Sequence, residues 1–216
     1  YPGNLSFNPE EVSSDDEVQS AEALHVELPE PNADFNTLAL RLAEALPRDA
    51  ALPANLEAAT AWQQARRAKL REIVRAKDYE VNAVLAGEEE KDGVKATFWR
   101  IPMGGEWTVP AVELVRGEPE KTALLVADEG RVSVEAKAAE LLAAGYRVIA
   151  ADPFYFGESK IAERDFLFAL LVAAVGDRPI GLQASQVGAI ARWSAAKHGG
   201  PVTLVALGTR SSAFAL

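Results

Sequence analysis

The 216-residue chain contains no cysteine and only two histidines. Without cysteine, disulfide bonds, thiolate zinc sites and cysteine nucleophiles are excluded. A helix that crosses a membrane needs about 18 consecutive apolar residues, and no such run is present. The longest apolar stretch, 166–175, reaches about half that length. Membrane spanning is therefore not expected.

Basic residues are missing from the N-terminal segment. Residues 1–40 hold nine Asp and Glu without a Lys or Arg, whereas the remainder balances 23 acidic against 22 basic residues. A surface that binds nucleic acid needs a basic stripe, which the chain lacks, so no nucleic-acid partner is expected. Residues 1–31, rich in acidic groups and proline, are predicted to form an extended or disordered arm, either solvated or docked.

Two helices are predicted within residues 32–78. Leucines and alanines between 33 and 46 form an apolar face that ends at Pro47, and Asn55 is placed to cap a second helix of about twenty residues. That second helix carries a basic run, which is either an anion site or the solvated face of an amphipathic helix. The basic residues are Arg66, Arg67, Lys69 and Arg71.

An α/β domain is predicted over residues 79–216. Alternating segments at 94–101 and 107–115 indicate an opening antiparallel hairpin, with 87–93 as a charged turn. Short apolar strands then alternate with helices, which favours right-handed crossovers and a mixed, mostly parallel sheet with helices on both faces. The predicted strands are 122–127, 146–151, 179–184 and 201–207, and the predicted helices are 134–144, 166–175 and 187–197.

The turn after the first of these strands excludes a dinucleotide-binding fold. Such folds place a glycine-rich turn there to hold a pyrophosphate. In this chain the turn carries two carboxylates, Asp128 and Glu129, beside Gly130 and Arg131. With only two separated histidines for ligands besides carboxylates, no cofactor and no metal are expected.

The arrangement resembles the α/β-hydrolase superfamily over residues 55–216, and most of all its acetyl xylan esterase and glucuronoyl esterase relatives. An antiparallel hairpin precedes the parallel strands, residues 148–159 are similar to the turn after the fourth strand of those enzymes, and 179–189 are similar to their nucleophile elbow. The resemblance implies a serine esterase acting on an acetylated or glucuronoylated plant polysaccharide, in a secreted or periplasmic location.

Two registers fit the elbow. Positions two before and two after a nucleophile must be small, because strand and helix pack closely around it. With Ser185 at the tip these positions are Gln183 and Val187, both bulky. With Gln186 at the tip they are Ala184 and Gly188, which fit better. A glutamine amide is not a nucleophile, so the second register predicts a degenerate elbow, and the first keeps Ser185 as candidate nucleophile.

The rest of the machinery is also incomplete. The family's histidine follows its last strand, whereas His25 lies in the acidic arm and His198 ends a predicted helix, where the helix dipole favours it. The oxyanion-hole loop would be 128–131, with the Gly130 backbone as candidate donor beside unfavourable carboxylates. Asp152 either lines the cleft or braces the turn to Gly157.

The aromatic residues 154–156 either shape a carbohydrate surface or pack the loop onto the fold.

The family's sheet usually has more strands than this sequence supplies, and an apolar strand at 201–207 would leave an exposed edge, so further polypeptide is expected to cover it. Two hypotheses remain. One is an esterase that uses Ser185 with an acid and a histidine supplied from beyond Leu216. The other is a degenerate domain kept as a structural or carbohydrate-binding module, which the elbow sterics favour.

Overall fold

The computed structural model of the chain describes residues 11–30, 32–46, 51–161, 163 and 165–216. The chain divides into two compact units, residues 1–52 and 53–216, which are described separately. Part of the predicted arm and Pro47 lie outside the described residues. In residues 11–30 every side chain is exposed, and the regular structure there is a 3₁₀ turn over Asp15–Glu17.

The first unit contains helix α1, Phe35–Glu44, which confirms the helix predicted within 33–46. Asp34 caps it by accepting a hydrogen bond from the Thr37 backbone N–H at 2.7 Å. This bond satisfies one of the N–H groups that a helix start leaves without a partner. No residue of α1 is buried within the described chain.

The second unit combines a six-stranded sheet with helices. Asn55 caps α2, as predicted, by accepting the Ala58 N–H at 2.9 Å. The described strands are β1 Val84–Lys91, β2 Val94–Met103, β3 Trp107–Val115, β4 Lys121–Ala127, β5 Tyr146–Ala151 and β6 Val202–Leu207. The helices are α2 Leu56–Val74, α3 Glu135–Ala143, α4 Asp165–Ala174, α5 Pro179–His198 and α6 Thr209–Ala215. None of the described helices is long and apolar enough to cross a membrane.

The strand order β1-β2-β3-β5-β4-β6 confirms the α/β class and corrects the expected balance of the sheet. Three of its five pairings are antiparallel, and only β4–β5 and β4–β6 are parallel. The predicted charged turn at 87–93 is wrong for most of its length, because Gly87 to Lys91 pair with β2 as part of β1. Glutamates tolerate this edge position because the side chains of β1 are mostly exposed.

The strand predicted over 179–184 is also wrong, because α5 runs without interruption from Pro179 to His198. Pro179 stands in the first turn of the helix, where the missing N–H costs nothing. The buried positions Leu182, Gln186 and Ile190 recur every four residues, which is helical spacing. A short apolar run such as 179–184 fits a buried helix turn as well as a buried strand.

The core lies on both faces of the sheet. Along β4, Ala123, Leu125 and Ala127 pack with α3, whereas Leu124 and Val126 pack with α5 and α6 on the opposite face. This alternation within one wholly apolar strand is what a strand covered on both faces requires.

The carboxyl ends of β4, β5 and β6 share one edge of the sheet, called here the carboxyl edge. The chain leaves β4 towards β5 on one side and later returns to place β6 on the other side. In open α/β sheets, ligands bind at the point where the connections diverge in this way. The turns after β4, β5 and β6 are therefore where a functional site is sought.

Candidate functional site

The turns after β4 and β6 are joined by Asp128. Its carboxylate accepts the backbone N–H of Ser211 at 2.7 Å and that of Arg210 at 3.1 Å. The Arg210 guanidinium donates back to the Asp128 carbonyl oxygen at 2.6 Å. The hydrogen bond from the Ser211 N–H, together with that from Arg210, lowers the pKa of the Asp128 carboxyl despite some desolvation. Asp128 is therefore held in its charged form against the start of α6.

Gly208 makes this approach possible. Its φ of 117° lies in the region that favours glycine, and a Cβ at this position would overlap the Asp128 carboxylate. The Gly208 carbonyl accepts the hydroxyl groups of both following serines, Ser211 at 3.3 Å and Ser212 at 2.6 Å. Both serine hydroxyls of this turn therefore donate to the backbone.

The turns after β4 and β5 are joined by Asp152, which is buried. Its carboxylate accepts the Arg131 backbone N–H at 2.7 Å and the Glu158 N–H at 3.0 Å, and pairs with the Arg131 guanidinium at 3.2 Å. Arg131 also pairs with the Glu158 carboxylate. A Cβ on Gly157 would overlap the Asp152 carboxylate. Of the two interpretations of Asp152, the structure supports the brace.

Gly130, the candidate oxyanion donor, lies in the turn after β4, which Asp128 and Asp152 join to the turns after β6 and β5. Its φ is 82°, and a Cβ there would overlap Gly157. Its N–H donates to the Ala127 carbonyl at 2.9 Å, and its own carbonyl accepts the Ser133 hydroxyl at 2.7 Å. The Gly130 N–H is therefore engaged in the turn itself.

Ser185, the candidate nucleophile, lies inside α5, where 5% of its surface is exposed. Its hydroxyl donates to the Gly181 carbonyl at 2.5 Å and accepts the Lys77 backbone N–H at 2.7 Å. The strand–turn–helix geometry on which both elbow registers depended is not found at Ser185 or Gln186, because both residues are helical. The Ser185 hydroxyl instead links α5 to the segment that follows α2.

Gln186, the tip in the favoured register, positions the loop after β5. Its side-chain oxygen accepts the Phe154 N–H at 2.6 Å, and the Gln183 amide donates to the Phe154 carbonyl at 3.1 Å. Sequence reasoning missed this role for the two glutamines. Their spacing of three residues places both on one face of a helix, but that signal is readable only once 179–184 is known to be helical.

The aromatic residues of this loop contribute to a second feature. Phe154 packs edge-to-face against Trp107, with ring centroids 5.2 Å apart, and Phe156 packs in the same way against Phe214. A pocket of about 360 Å³ opens beside Trp107. Its other lining residues include Arg100, Thr108, Phe154, Glu158 and Ser159. The loop thus packs onto the fold and also lines a pocket with aromatic and polar side chains.

His198 lies beside Glu113 at the end of α5. Its Nε2 is 3.0 Å from a Glu113 carboxylate oxygen, although the angle misses a hydrogen bond. Lys197 donates to the other oxygen at 2.9 Å, as does the Trp99 indole at 3.0 Å. Arg147 approaches Glu113 at 3.0 Å. His198 therefore belongs to a largely buried cluster of charged groups.

No group of three or more histidine or carboxylate side chains suited to holding a metal ion occurs in the described residues. The buried carboxylates are instead neutralised by the chain itself, Asp152 by Arg131 and Glu113 mainly by Lys197 and Arg147.

Solved structures share this architecture. A Bacteroides fragilis protein assigned as an acetyl xylan esterase superposes with a TM-score of 0.68 at 12% identity, over 88% of this chain and 58% of its own. This chain therefore shares the α/β fold of that structure. A methylesterase matches with a TM-score of 0.54 at 14% identity, over 72% of this chain and 37% of its own. No protein-family profile and no curated protein sequence matches the chain.

These comparisons confirm the predicted resemblance at the level of the fold. The chain spans less than two thirds of the length of either structure. At 12–14% identity, the likeness concerns the fold and not the site chemistry.

In an α/β-hydrolase fold, the nucleophile sits at a sharp turn from a parallel strand into a helix. In the described chain β6, Gly208 and α6 form such a turn, more than twenty residues beyond the predicted elbow. The steric rule of small flanking residues is met around Arg210, with Gly208 two before and Ser212 two after. A guanidinium is not a nucleophile. The nucleophile's turn is strained in this fold, but the non-glycine residues with a positive φ in the described part of the chain lie elsewhere, at Arg75, Asp92 and Tyr155.

Proposed function

We propose that this chain is an esterase-type α/β-hydrolase domain that does not hydrolyse esters with its own residues and serves instead as a structural and ligand-binding module. The observation that carries this proposal is the double hydrogen bond from the Arg210 and Ser211 N–H groups to the Asp128 carboxylate.

Ester hydrolysis builds negative charge on the former carbonyl oxygen, and backbone N–H groups at the elbow and at the loop after the first parallel strand stabilise that charge. In this chain the loop supplies a carboxylate, Asp128, and the turn after β6 gives its N–H groups to that carboxylate. A substrate oxyanion in the same place would have to displace a fixed negative charge. This arrangement opposes the chemistry that the fold usually supports.

The serine chemistry points in the same direction. The Ser185 hydroxyl donates to the Gly181 carbonyl, so within the described residues no side-chain base accepts its proton. His198 follows Ser185 by thirteen residues in the same helix, which separates them by roughly 20 Å along the axis. An activated serine needs a base within hydrogen-bond reach, about 3 Å.

The test is labelling of the whole native protein with a fluorophosphonate probe, followed by peptide mass mapping. We expect no adduct within residues 1–216. An adduct on Ser185 that is absent from Ser185→Ala would overturn the proposal and restore the alternative, an esterase with acid and histidine from beyond Leu216. An adduct on Ser211 or Ser212 would overturn it equally. Ester hydrolysis by wild type and Ser185→Ala provides the matching activity readout.

A carbohydrate ligand is favoured by the pocket beside Trp107. Aromatic rings next to charged and hydroxyl groups suit a sugar, which has apolar faces and a polar rim. Titration calorimetry with xylo-oligosaccharides is expected to show binding that weakens in Arg100→Ala. Unchanged binding in that variant would remove the pocket from the proposal, and a protein that binds no oligosaccharide would leave only the structural role.

We also propose that further polypeptide covers β6. This strand pairs with β4 on one side and forms the edge of the described sheet, where Leu204 is 36% exposed. An exposed strand edge promotes aggregation unless it is covered. Slow hydrogen exchange at all backbone amides of β6 in the native protein is expected. Fast exchange at alternate amides would show an open edge and contradict this part.

A further inference from the structure

A groove of about 300 Å³ is lined by residues of α2, α5 and α6 and of the segment that follows α2. Among the described residues, none that belongs to a strand or to the turns after β4 and β5 lines it. Its walls are one face of α2 and one face of α5, because the lining positions of each helix recur at three- and four-residue intervals. Those positions include Arg67, Leu70 and Arg71 on α2, and Ile180, Ala184 and Arg192 on α5.

The floor and walls are apolar. Leu70 remains 54% exposed and Ile180 38% exposed, although both face a concave surface with Val74 and Phe214. Covering such side chains with an apolar group is favourable, at about 25 cal/mol per Å² of area removed from water. The groove therefore offers burial to a hydrocarbon or aryl group.

The rim is basic. Arg67, Arg71 and Arg192 all line the groove, and one lining carboxylate, Asp78, faces them. Asp78 lies 2.9 Å from the Arg71 guanidinium and 3.6 Å from that of Arg192. Within the described residues Arg67 has no ion-pair partner.

Lys77 and Ser185 line the same groove but are committed elsewhere. The Lys77 ammonium pairs with Asp177 at 2.7 Å, and the Ser185 hydroxyl bonds to the backbone. Four cationic side chains line the groove, and two carboxylates, Asp78 and Asp177, neutralise two of them, which leaves two positive charges unbalanced. Arginines that line one groove from two helices, beside apolar side chains, suit a carboxylate, because a carboxylate accepts two parallel hydrogen bonds from one guanidinium group.

We propose that this groove binds a small organic anion, a carboxylate with an apolar body, whose head contacts Arg67 and Arg192 and whose body lies on Leu70 and Ile180. The volume is at the lower end of the range for small-molecule sites, so the body is short, about eight carbons for an unbranched chain. The proposed ligand contacts neither Asp128 nor the residues that donate to its carboxylate, and Ser185, which also lines the groove, is committed to backbone hydrogen bonds.

The experiment is calorimetric titration of the native protein with sodium octanoate, and with octanol as the neutral probe of equal length. Octanoate is expected to bind more tightly than octanol. In Arg67→Gln/Arg192→Gln the octanoate affinity is expected to fall about tenfold or more, as loss of charged hydrogen bonds predicts. Ala184→Phe, which fills the groove, is expected to weaken both probes.

Lys69→Gln is the matched control, because Lys69 lies on the same helix, pairs with Glu72 and does not line the groove. It should leave octanoate affinity unchanged. Thermal unfolding of every variant shows whether the fold survives, and Arg67→Gln alone replaces the double variant if that one unfolds. Equal affinity for octanol and octanoate, no effect of the arginine substitutions, or no octanoate binding by the native protein would each overturn the proposal.

Discussion

Gly181 in the first turn of α5 lies directly against the Val74 carbonyl at the end of α2. A Cβ added to Gly181 would overlap that carbonyl oxygen, and both groups are backbone, so neither can rotate away. Gly181→Ala is therefore expected to lower the free energy of unfolding by about 2 kcal/mol or more, as overpacking of a tight contact does. Chemical denaturation measures this change.

The matched control is Gly188→Ala in the same helix. A Cβ there would meet the Arg192 guanidinium at 3.5 Å, an ordinary contact with a flexible side chain. Because alanine favours helix over glycine, this variant is expected to gain up to about 1 kcal/mol. Equal stability of the two variants would show that α2 and α5 do not approach as described.

Replacement of Asp128 tests the Asp128 clamp, the pair of hydrogen bonds from the Arg210 and Ser211 N–H groups to the Asp128 carboxylate at the carboxyl edge. Asp128→Ala removes the acceptor for the Arg210 and Ser211 N–H groups and is expected to lower the melting temperature, whereas Asp128→Asn retains one acceptor oxygen and is expected to lower it less. Glu129→Gln serves as control, because Glu129 is 83% exposed on its side chain and approaches Arg210 only at 3.8 Å. A melting temperature unchanged in Asp128→Ala would mean that the clamp does not hold the turn.

Removal of the Gln186 amide is expected to loosen the loop after β5. Gln186→Ala removes the side-chain acceptor of the buried Phe154 N–H and opens a small cavity, which together cost about 2–3 kcal/mol of unfolding free energy. Gln183→Ala loses a bond to a less buried site and is expected to cost about 1 kcal/mol or less. The reverse order of the two effects in denaturant unfolding would contradict this assignment.

Acid is expected to destabilise the fold through His198 and Glu113. Burial lowers the pKa of His198, and the charges of Arg147 and Lys197 add to this effect against the opposing charge of Glu113. Between that lowered value and the ordinary 6.5, the unfolded chain binds a proton that the folded chain does not. Stability is therefore lost as pH falls below about 6.5.

Glu113 acts in a lower range. Burial raises its pKa, but the hydrogen bond and charge of Lys197 outweigh burial, so the pKa lies below the ordinary 4.5. The stability that it contributes is lost as pH falls below that value. Melting curves across pH are expected to fall less steeply in the range below about 6.5 for His198→Gln than for wild type. His25→Gln, in the exposed arm, is the control, and the same slope in all three proteins would rule out His198 as the source.

The residues that determined most elements were readable from the sequence. Asn55 caps α2 by a short-range bond, and the apolar runs of β4 and β5 are buried on both faces, so local pattern and tertiary structure agree there. The run 179–184 was ambiguous, because a short apolar run fits a buried helix turn as well as a buried strand. Its close contact with α2, at Val74, is to a residue more than a hundred positions earlier and cannot be read locally.

That single misassignment placed a strand–turn–helix unit at 179–189 and drew Ser185 and Gln186 into the predicted site. The clamp by Asp128 could not be predicted, because it joins two turns that become neighbours only when β4 and β6 pair. The acidic character of the loop was visible in the sequence, but its hydrogen-bond partners were not.

The link between Asp128 and Ser211 spans 83 positions of the chain. Contacts so distant along the chain require a long loop to close before they stabilise the fold, so they tend to form late in folding. The start of α6 is therefore expected to become ordered after the central strands have paired. Substitutions at Asp128 should then accelerate unfolding while leaving the folding rate nearly unchanged. The clamp therefore determines the lifetime of the folded carboxyl edge more than the rate at which that edge folds.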